Sequence, residues 1–372
     1  MDNFHTCTRC IMDITDPEIS FNSEGVCNHC LQYDMDVELY GYQEGVSEKK
    51  LKDIVDKIKE EEKNKEYDCI LGISGGVDSS YLAYLAHKLG LRTLAVHVDA
   101  GWNSEIAVQN IGNLCRILNI DLHTIVIDWP TMKELQRAYM YSGLPNLDIP
   151  QDHAFIAAVY QYAKKYKLKY MLNGNNLATE AILPKSWGYS PIDYRNIKGV
   201  YKKHGRGKSI KKYPHFGIIE YFMLQRKVTR VNLLNYVPYS KKDAIDLLSK
   251  EFDWKYYGGK HFESNFTKFF QSYYLPQKFG YDKKRAHLSS LVVGGEMTRE
   301  EALKEMEDSS SYTMDEMLED RDYILKKLDI SIEDWNKIMQ QPARAETDYP
   351  SMAPLIRFLV KCKKAIKLIV GK

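Results

Sequence analysis

No apolar run of about 18 residues exists anywhere in this 372-residue chain, so no helix long enough to cross a bilayer is expected. The opening MDNFHTCTRCIMD also lacks the basic and then apolar regions of a secretory signal, which makes the cytoplasm the expected compartment. Charge of one sign is missing too. The 52 Lys and Arg offset 50 Asp and Glu to leave a net +2, far from the basic footprint of a nucleic-acid binder, so DNA is not an expected partner. Only seven cysteines occur, and in a reducing compartment these are metal ligands or bystanders rather than disulfides. There is no internal repeat and no low-complexity tract. At 44% hydrophobic and 27% charged residues, the composition is that of a globular protein of about two to three domains.

Hydrophobic patterning divides the chain into segments. Residues 1–45 hold four of the cysteines, and 46–66 read as a charged connecting helix with an apolar stripe at Leu51, Ile54, Val55 and Ile58. Between 67 and 185, apolar runs at 69–73, 93–98, 122–127 and 169–172 alternate with helical stretches at 79–89, 104–118 and 151–167. Short, wholly apolar strands separated by helices imply an α/β fold whose parallel sheet is covered on both faces. Past about residue 185 the strand signal fades. Residues 186–345 read as a mainly helical domain containing a basic Gly-punctuated loop (198–212), an aromatic-rich stretch (252–281) and acidic helices (298–341). Residues 346–372 form a basic amphipathic tail with its stripe at Leu355, Leu359, Cys362, Ile366 and Ile369. It suits either packing on its own domain or weak peripheral contact with a membrane surface.

Cys7, Cys10, Cys27 and Cys30 form a C-x2-C-x16-C-x2-C pattern. Two close thiolate pairs of this kind close a tetrahedron around one Zn²⁺, and with no open position the metal is expected to be structural. An iron–sulfur cluster is the alternative for the same ligands, and His5 and His29 flank the pairs as substitute ligands.

The stretch ILGISGGVDSS ends the first predicted strand and opens a helix. Glycines let backbone N–H groups approach an anion, Asp78 and Ser79 suit a helix start, and the helix N-terminus adds its positive end. A phosphate fits there. Yet the chain has neither the lysine of G-x-x-x-x-G-K-[ST] at this turn nor a G-x-G-x-x-G dinucleotide turn.

S-G-G-V-D-S-S after a first strand resembles the pyrophosphate loop of the PP-loop, or N-type, ATP pyrophosphatases. The resemblance implies that Ser74, Gly75, Gly76, Asp78, Ser79 and Ser80 hold the β- and γ-phosphates while ATP is cut between α and β, with Asp78 a partner of Mg²⁺. AVHVDAG (95–101), with Val98 and Asp99, ends a strand where that family contacts adenine, although Asp99 suits a plain turn equally well. MLNGNNLATE (171–180), with Asn173 and Gly174, resembles a later strand-end loop of the family. Taken with the four-cysteine module and the run WKYYGGKHFESNF onward from residue 254, the chain from about residue 3 to 345 resembles the N-acetyl sugar amidotransferase family. That implies adenylation of a sugar's acetamido oxygen and its replacement by ammonia to give an acetamidino group, in bacterial surface-polysaccharide or nonulosonic acid synthesis. The chemistry is coherent, because an amide oxygen leaves readily only once it has become part of AMP.

A glutaminase nucleophile is missing. Residue 2 is Asp, Cys69 lies in a strand, Cys115 on a helix and Cys362 in the tail. Ammonia is therefore expected from a separate class I glutaminase subunit with a cyclase-like companion, as the resemblance implies. Lys260, His261 and Glu263 follow Gly258 and Gly259 and are the catalytic candidates beside Asp78, while Lys268, Lys278, Lys283, Lys284 and Arg285 offer cations for pyrophosphate or a sugar-linked diphosphate. The aromatics from Trp254 to Tyr274 are expected mostly in the core. Loop 198–212 is either a solvated surface element or a mobile lid. A tRNA thiolase, which shares the adenylation step, is the rival reading, although no mid-chain cysteine pair supports it.

Overall fold

The computed structural model describes residues 5–308, 310–355 and 358. After the cysteine-bearing N-terminal segment come α1 (Asn28–Tyr40) and α2 (Val46–Glu62), the latter burying Leu51, Val55 and Ile58 as its stripe requires. The α/β layer follows as β1 (Cys69–Gly72), α3 (Val77–Lys88), β2 (Thr93–Asp99), α4 (Glu105–Leu118), β3 (Asp121–Val126), α5 (Trp129–Met140), α6 (Ile149–Lys165) and β4 (Tyr170–Leu172). Then come α7 (Leu177–Glu180), α8 (Tyr194–His204), α9 (Ile218–Lys227) and β5 (Thr229–Val231). The C-terminal region is helical: α10 (Lys241–Phe252), α11 (Asn265–Phe269), α12 (Leu275–Phe279), α13 (Lys283–Val293), α14 (Arg299–Glu307), α15 (Met314–Leu328) and α16 (Ile332–Gln340).

The sheet is wholly parallel in the order β3-β2-β1-β4-β5. Ile70 of β1 lies between Leu94 of β2 and Met171 of β4. Strand order therefore reverses beside β1, and a crevice opens at the carboxyl ends of β1 and β4, where open α/β sheets bind ligands. One apolar core lies on the α6 side of the sheet and another on the α2, α3 and α10 side.

Several elements differ from the sequence expectation. Helix α5 was not expected, although Asp128 caps it by accepting from the Thr131 N–H and Pro130 stands in its first turn. β5, three residues long, is too short to carry a period. It joins the sheet from beyond residue 185, and the first core runs from Tyr67 to Tyr349, so 186–345 does not stand apart from the α/β layer. The first half of the expected basic loop is the end of α8. Tail positions Leu359, Cys362, Ile366 and Ile369 lie outside the described residues.

Candidate functional site

The glycine turn sits at the carboxyl end of β1. Gly75 has φ +82°, and a Cβ there would stand 2.5 Å from the Ala107 carbonyl oxygen of α4. Only glycine allows that approach. Ser74 and Ser79 close the turn: their hydroxyls lie 3.2 Å apart, the Gly76 N–H donates to Ser74 Oγ (3.3 Å) and Ser79 Oγ donates to the Gly76 carbonyl (3.2 Å). The Val77 N–H donates to Tyr257 Oη (3.2 Å), a contact from a distant segment. These N–H groups open α3, whose N-terminal dipole adds to an anion cradle.

Asp78 faces the other way along the turn. Its Oδ1 accepts from Tyr239 Oη (2.6 Å), Asn176 Nδ2 (3.1 Å) and Thr179 Oγ1 (3.4 Å). Burial, then the charge of Glu180, raises its pKa, while Lys260 and Tyr239 hold it down. Lys260 Nζ pairs with Glu180 Oε1 (3.0 Å) and donates to the Thr179 carbonyl (3.2 Å). Lys241, which the sequence reading missed, makes no hydrogen bond or ion pair within 4.0 Å to any described residue. Burial and then the Lys260 charge lower its pKa, and Asp78 and Glu263 face it as well. Its position at the start of α10 offered no motif.

Glu263 Oε1 would lie 3.3 Å from a Cβ on Gly76, so this carboxylate abuts the phosphate turn. Burial alone would raise its pKa, but His261, 3.7 Å away, keeps it below the usual glutamate value. Glu263 Oε2 is buried and has no partner among the described residues. Among the described residues only the four N-terminal cysteines converge as three or more metal ligands, so at this turn the orphaned Glu263 oxygen could supply at most part of the shell of a hard divalent cation, which takes one or two carboxylates and completes its shell with phosphate oxygens and water. His261 has φ +65° and its ring lies 5.4 Å from that of His287. His287 is kept neutral by burial and by Lys260, His261, Lys283 and Lys241, which push its pKa well below the usual histidine value.

Ser74, His261, Glu263 and His287 face one cleft of about 750 Å³ at the strand ends, lined also by Val98, Asn173, Gly174 and Lys283. Gly174 packs against the start of α3, a Cβ there standing 3.5 Å from the Ser79 N–H nitrogen. Of the residues expected at the site, Ser74, Val98, Asn173, Gly174, His261, Glu263 and Lys283 line this cleft, whereas Gly75, Gly76, Asp78, Ser79 and Lys260 are not among its lining residues.

It does not bring Ser80, Asp99 or Arg285 to the phosphate turn. Ser80 is fully buried, its hydroxyl accepting from Trp254 Nε1 (3.2 Å) because the residue falls on the core face of α3. Asp99 is a turn residue, with Oδ1 accepting from the Gly101 N–H (2.7 Å) and from Asn103 Nδ2 (3.1 Å). Arg285 points away to pair with Asp13 (3.2 Å) and the Ile11 carbonyl (2.8 Å). Lys268 pairs with Asp320, Lys278 caps the carbonyls ending α16, and Lys284 donates to carbonyls at the end of α14. The basic loop is pinned rather than poised as a lid: Arg206 and Lys208 pair with Glu134, and Lys212 with Asp128. Trp254, Phe266, Phe269, Phe270 and Tyr274 are core, as expected.

The N-terminal cysteines make a second centre. Their Sγ atoms lie within 4.8 Å of one another, with separations of 3.8 Å (Cys7 to Cys30) and 3.7 Å (Cys10 to Cys27 and Cys27 to Cys30). Four sulfurs about 2.3 Å from one tetrahedral ion stand about 3.8 Å apart, so the set can hold a metal ion as it stands. Backbone N–H groups of Arg9, Cys10 and Cys27 aim at Cys7 Sγ (3.3–3.4 Å). His29 is not a ligand, because its Nε2 is on Asp16 Oδ2 (2.7 Å).

Two family models match the chain. NAD synthase matches residues 48–212, and the C-terminal domain of the LPS biosynthesis protein WbpG-like family matches residues 263–363. The chain is therefore a PP-loop protein with a NAD synthase-like fold, an N-terminal cysteine cluster and a helical C-terminal region. The two matches together support the resemblance to the N-acetyl sugar amidotransferases within that superfamily. No curated protein matches it. Similar solved structures include an NMN synthetase from Francisella tularensis (24% identity, 36% of this chain and 56% of that one, TM-score 0.29). An NH3-dependent NAD synthetase from Campylobacter jejuni shares 18% identity over 55% of this chain and 93% of that one, and U34-tRNA thiolase NcsA from Methanococcus maripaludis 15% over 85% and 96%, both at TM-score 0.29. This chain thus spans little more than half of the NMN synthetase, and likenesses at these TM-scores carry no functional weight.

Proposed function

We propose that the protein is an AMP-forming amidotransferase that turns the acetamido group of an activated sugar into an acetamidino group, in bacterial surface-polysaccharide or nonulosonic acid synthesis. The observation that carries this reading is the shared cleft. The phosphate turn of the NAD synthase-like region and residues 263–287 of the WbpG-like region line one space, so nucleotide and acceptor can meet there.

In the reaction the amide oxygen attacks the α-phosphorus, pyrophosphate leaves, ammonia adds to the activated carbon, and AMP departs carrying the former amide oxygen. The positive N-terminal end of α3, with Lys260 and Lys241, would stabilise the departing pyrophosphate. Mg²⁺ would neutralise the phosphates, and Asp78 or the unpartnered Glu263 oxygen would hold it together with phosphate oxygens and water. Neutral His287 can accept a hydrogen bond from the incoming ammonia without itself becoming charged. Zn²⁺ is the metal we assign to the four thiols, since a four-iron cluster would interpose itself and spread them further.

Cys69 is buried in β1, its pKa pushed up to about 12, and Cys115 is buried on α4, pushed up to about 11. No described cysteine lines the cleft. This supports a separate class I glutaminase with a cyclase-like companion as the ammonia source, and it disfavours a thiolase relay through this cleft. No described helix is long and apolar enough to cross a membrane, and a cytoplasmic setting is the one we propose.

The test mixes protein, Mg-ATP, ammonium and a panel of UDP-linked acetamido sugars. AMP and a product one mass unit lighter than the acceptor are expected, with acetamido ¹⁸O recovered in AMP. Release of ADP and orthophosphate, or AMP only with tRNA and a sulfur donor, overturns the reading.

A further inference from the structure

The cleft has a second chemical end that the phosphate chemistry does not use. At the start of α6, Asp148 and Asp152 stand one helical turn apart with Gln151 between them. Asp148 is 6% exposed, and its Oδ1 accepts from Gln151 Nε2 (2.9 Å) and Thr267 Oγ1 (3.3 Å). Lys283 at the start of α13 faces both carboxyls. Asp152 and Lys283 line the cleft, yet neither side chain makes a hydrogen bond or an ion pair within 4.0 Å to any described residue. Phe155 and Ile156 of α6, Phe270 and Trp187 supply apolar wall.

Asp152 and Lys283 are half-buried, so their unpaired polar atoms are held at the cleft wall, open to a ligand that would complete them. Burial raises both carboxyls, Asp152 to about 6, and lowers Lys283 to about 8. The cluster therefore sits near charge balance at neutral pH. A diphosphate would meet two carboxyls there and only one ammonium. A neutral ring carrying several hydroxyls meets acceptors, a donor and flat apolar faces.

We propose that Asp148, Gln151, Asp152, Thr267 and Lys283 form the seat for the uncharged, hydroxyl-bearing ring of the acceptor, with its acetamido group directed toward Ser74. The seat names the substrate end of the amidotransferase cleft, and for the reaction, though not for sugar binding itself, it rests on that reading. Any charged portion of the acceptor then lies outside this end of the cleft.

The experiment uses the full chain and the same panel of UDP-linked acetamido sugars, comparing wild type with Asp152→Asn and Lys283→Met. The Asn replacement keeps shape, and a matching circular dichroism spectrum with a cooperative melt confirms intact folding. For an acceptor that turns over, each variant should raise the acceptor KM about tenfold or more, the loss expected of a charge-assisted hydrogen bond, with the KM for ATP within about threefold. A raised KM for ATP with unchanged acceptor KM overturns the proposal, as does no change in either. If no sugar yields AMP, the amidotransferase reading fails, and saturation-transfer NMR still decides the seat. Ring-proton signals of these sugars with wild type that vanish with Asp152→Asn uphold it, and their absence with wild type, or persistence in the variant, overturns it.

Discussion

Replacing Gly75 by Ala is the sharpest test of the phosphate turn. An L-residue forced to φ +82° costs about 1–2 kcal/mol. The new methyl would also stand 2.5 Å from the Ala107 carbonyl oxygen, a backbone atom in the first turn of α4 that cannot swing aside, and such overpacking costs about 1–3 kcal/mol. The two add to about 2–5 kcal/mol. With unfolding entropy of about 2.1 cal/mol/K per residue spread over the whole chain, the midpoint should fall by about 3–6 °C. Relief must come from moving the turn, and a shift of about 1 Å in the groups that position a reactant costs about a hundredfold. ATP affinity by calorimetry should therefore drop about a hundredfold, about 2.7 kcal/mol, at temperatures where the protein is still folded. Gly112→Ala in α4 is the matched control, since nothing lies within 4 Å of its Cβ position and the residue is helical. It should stabilise the fold by about 0.5–1 kcal/mol and leave ATP binding alone. A Gly75→Ala protein that binds ATP within about threefold of wild type would refute the claim that this backbone grips the phosphates.

Lys241→Met should leave the fold intact, since the ammonium makes no close pair, but lower kcat/KM for ATP about ten- to a hundredfold; an unchanged value removes Lys241 from the site. For Asp152, the folded pKa of about 6 lies above the ordinary value of about 3.9, so its stabilising contribution is present below about pH 4 and is lost as pH rises through 6. Urea unfolding of wild type against Asp152→Asn should diverge by on the order of 2 kcal/mol between pH 4 and 7, with Asp148, Lys283 and His261 as the facing charges; parallel profiles would mean the carboxyl is well solvated. Titrating the four N-terminal thiols with a mercurial should release one zinc per chain and change the fluorescence of Trp187, which is packed in the same cluster as the cysteines; visible absorbance typical of an iron–sulfur cluster would contradict the zinc assignment.

The turn and the thiol tetrahedron were legible because each is local. Seven consecutive residues make the first, and two C-x2-C pairs make the second. Helix α5 carried a readable Asp-Trp-Pro start that the apolar pattern did not flag. Lys241 and Tyr239 carried no signal, since each meets Asp78 from more than 150 residues away and neither sits in a motif, and Tyr257, though in the quoted run from residue 254, was read only as core rather than as a partner of the turn. Arg285 shows the reverse case. It belongs to a run of cations, but on α13 its direction is opposite to that of Lys283, and it braces the metal-binding module instead.

By itself, the order of residues determined where strands and helices alternate, that a phosphate turn follows β1, and that four thiols converge, because these depend on short-range geometry and on the period of burial. Tertiary structure alone decided that strand order reverses beside β1, that a three-residue strand from beyond residue 185 completes the sheet, and which lysines face the cleft. Those outcomes are set by packing between segments far apart in the chain, where one helical position turns a side chain from a ligand space into a protein contact.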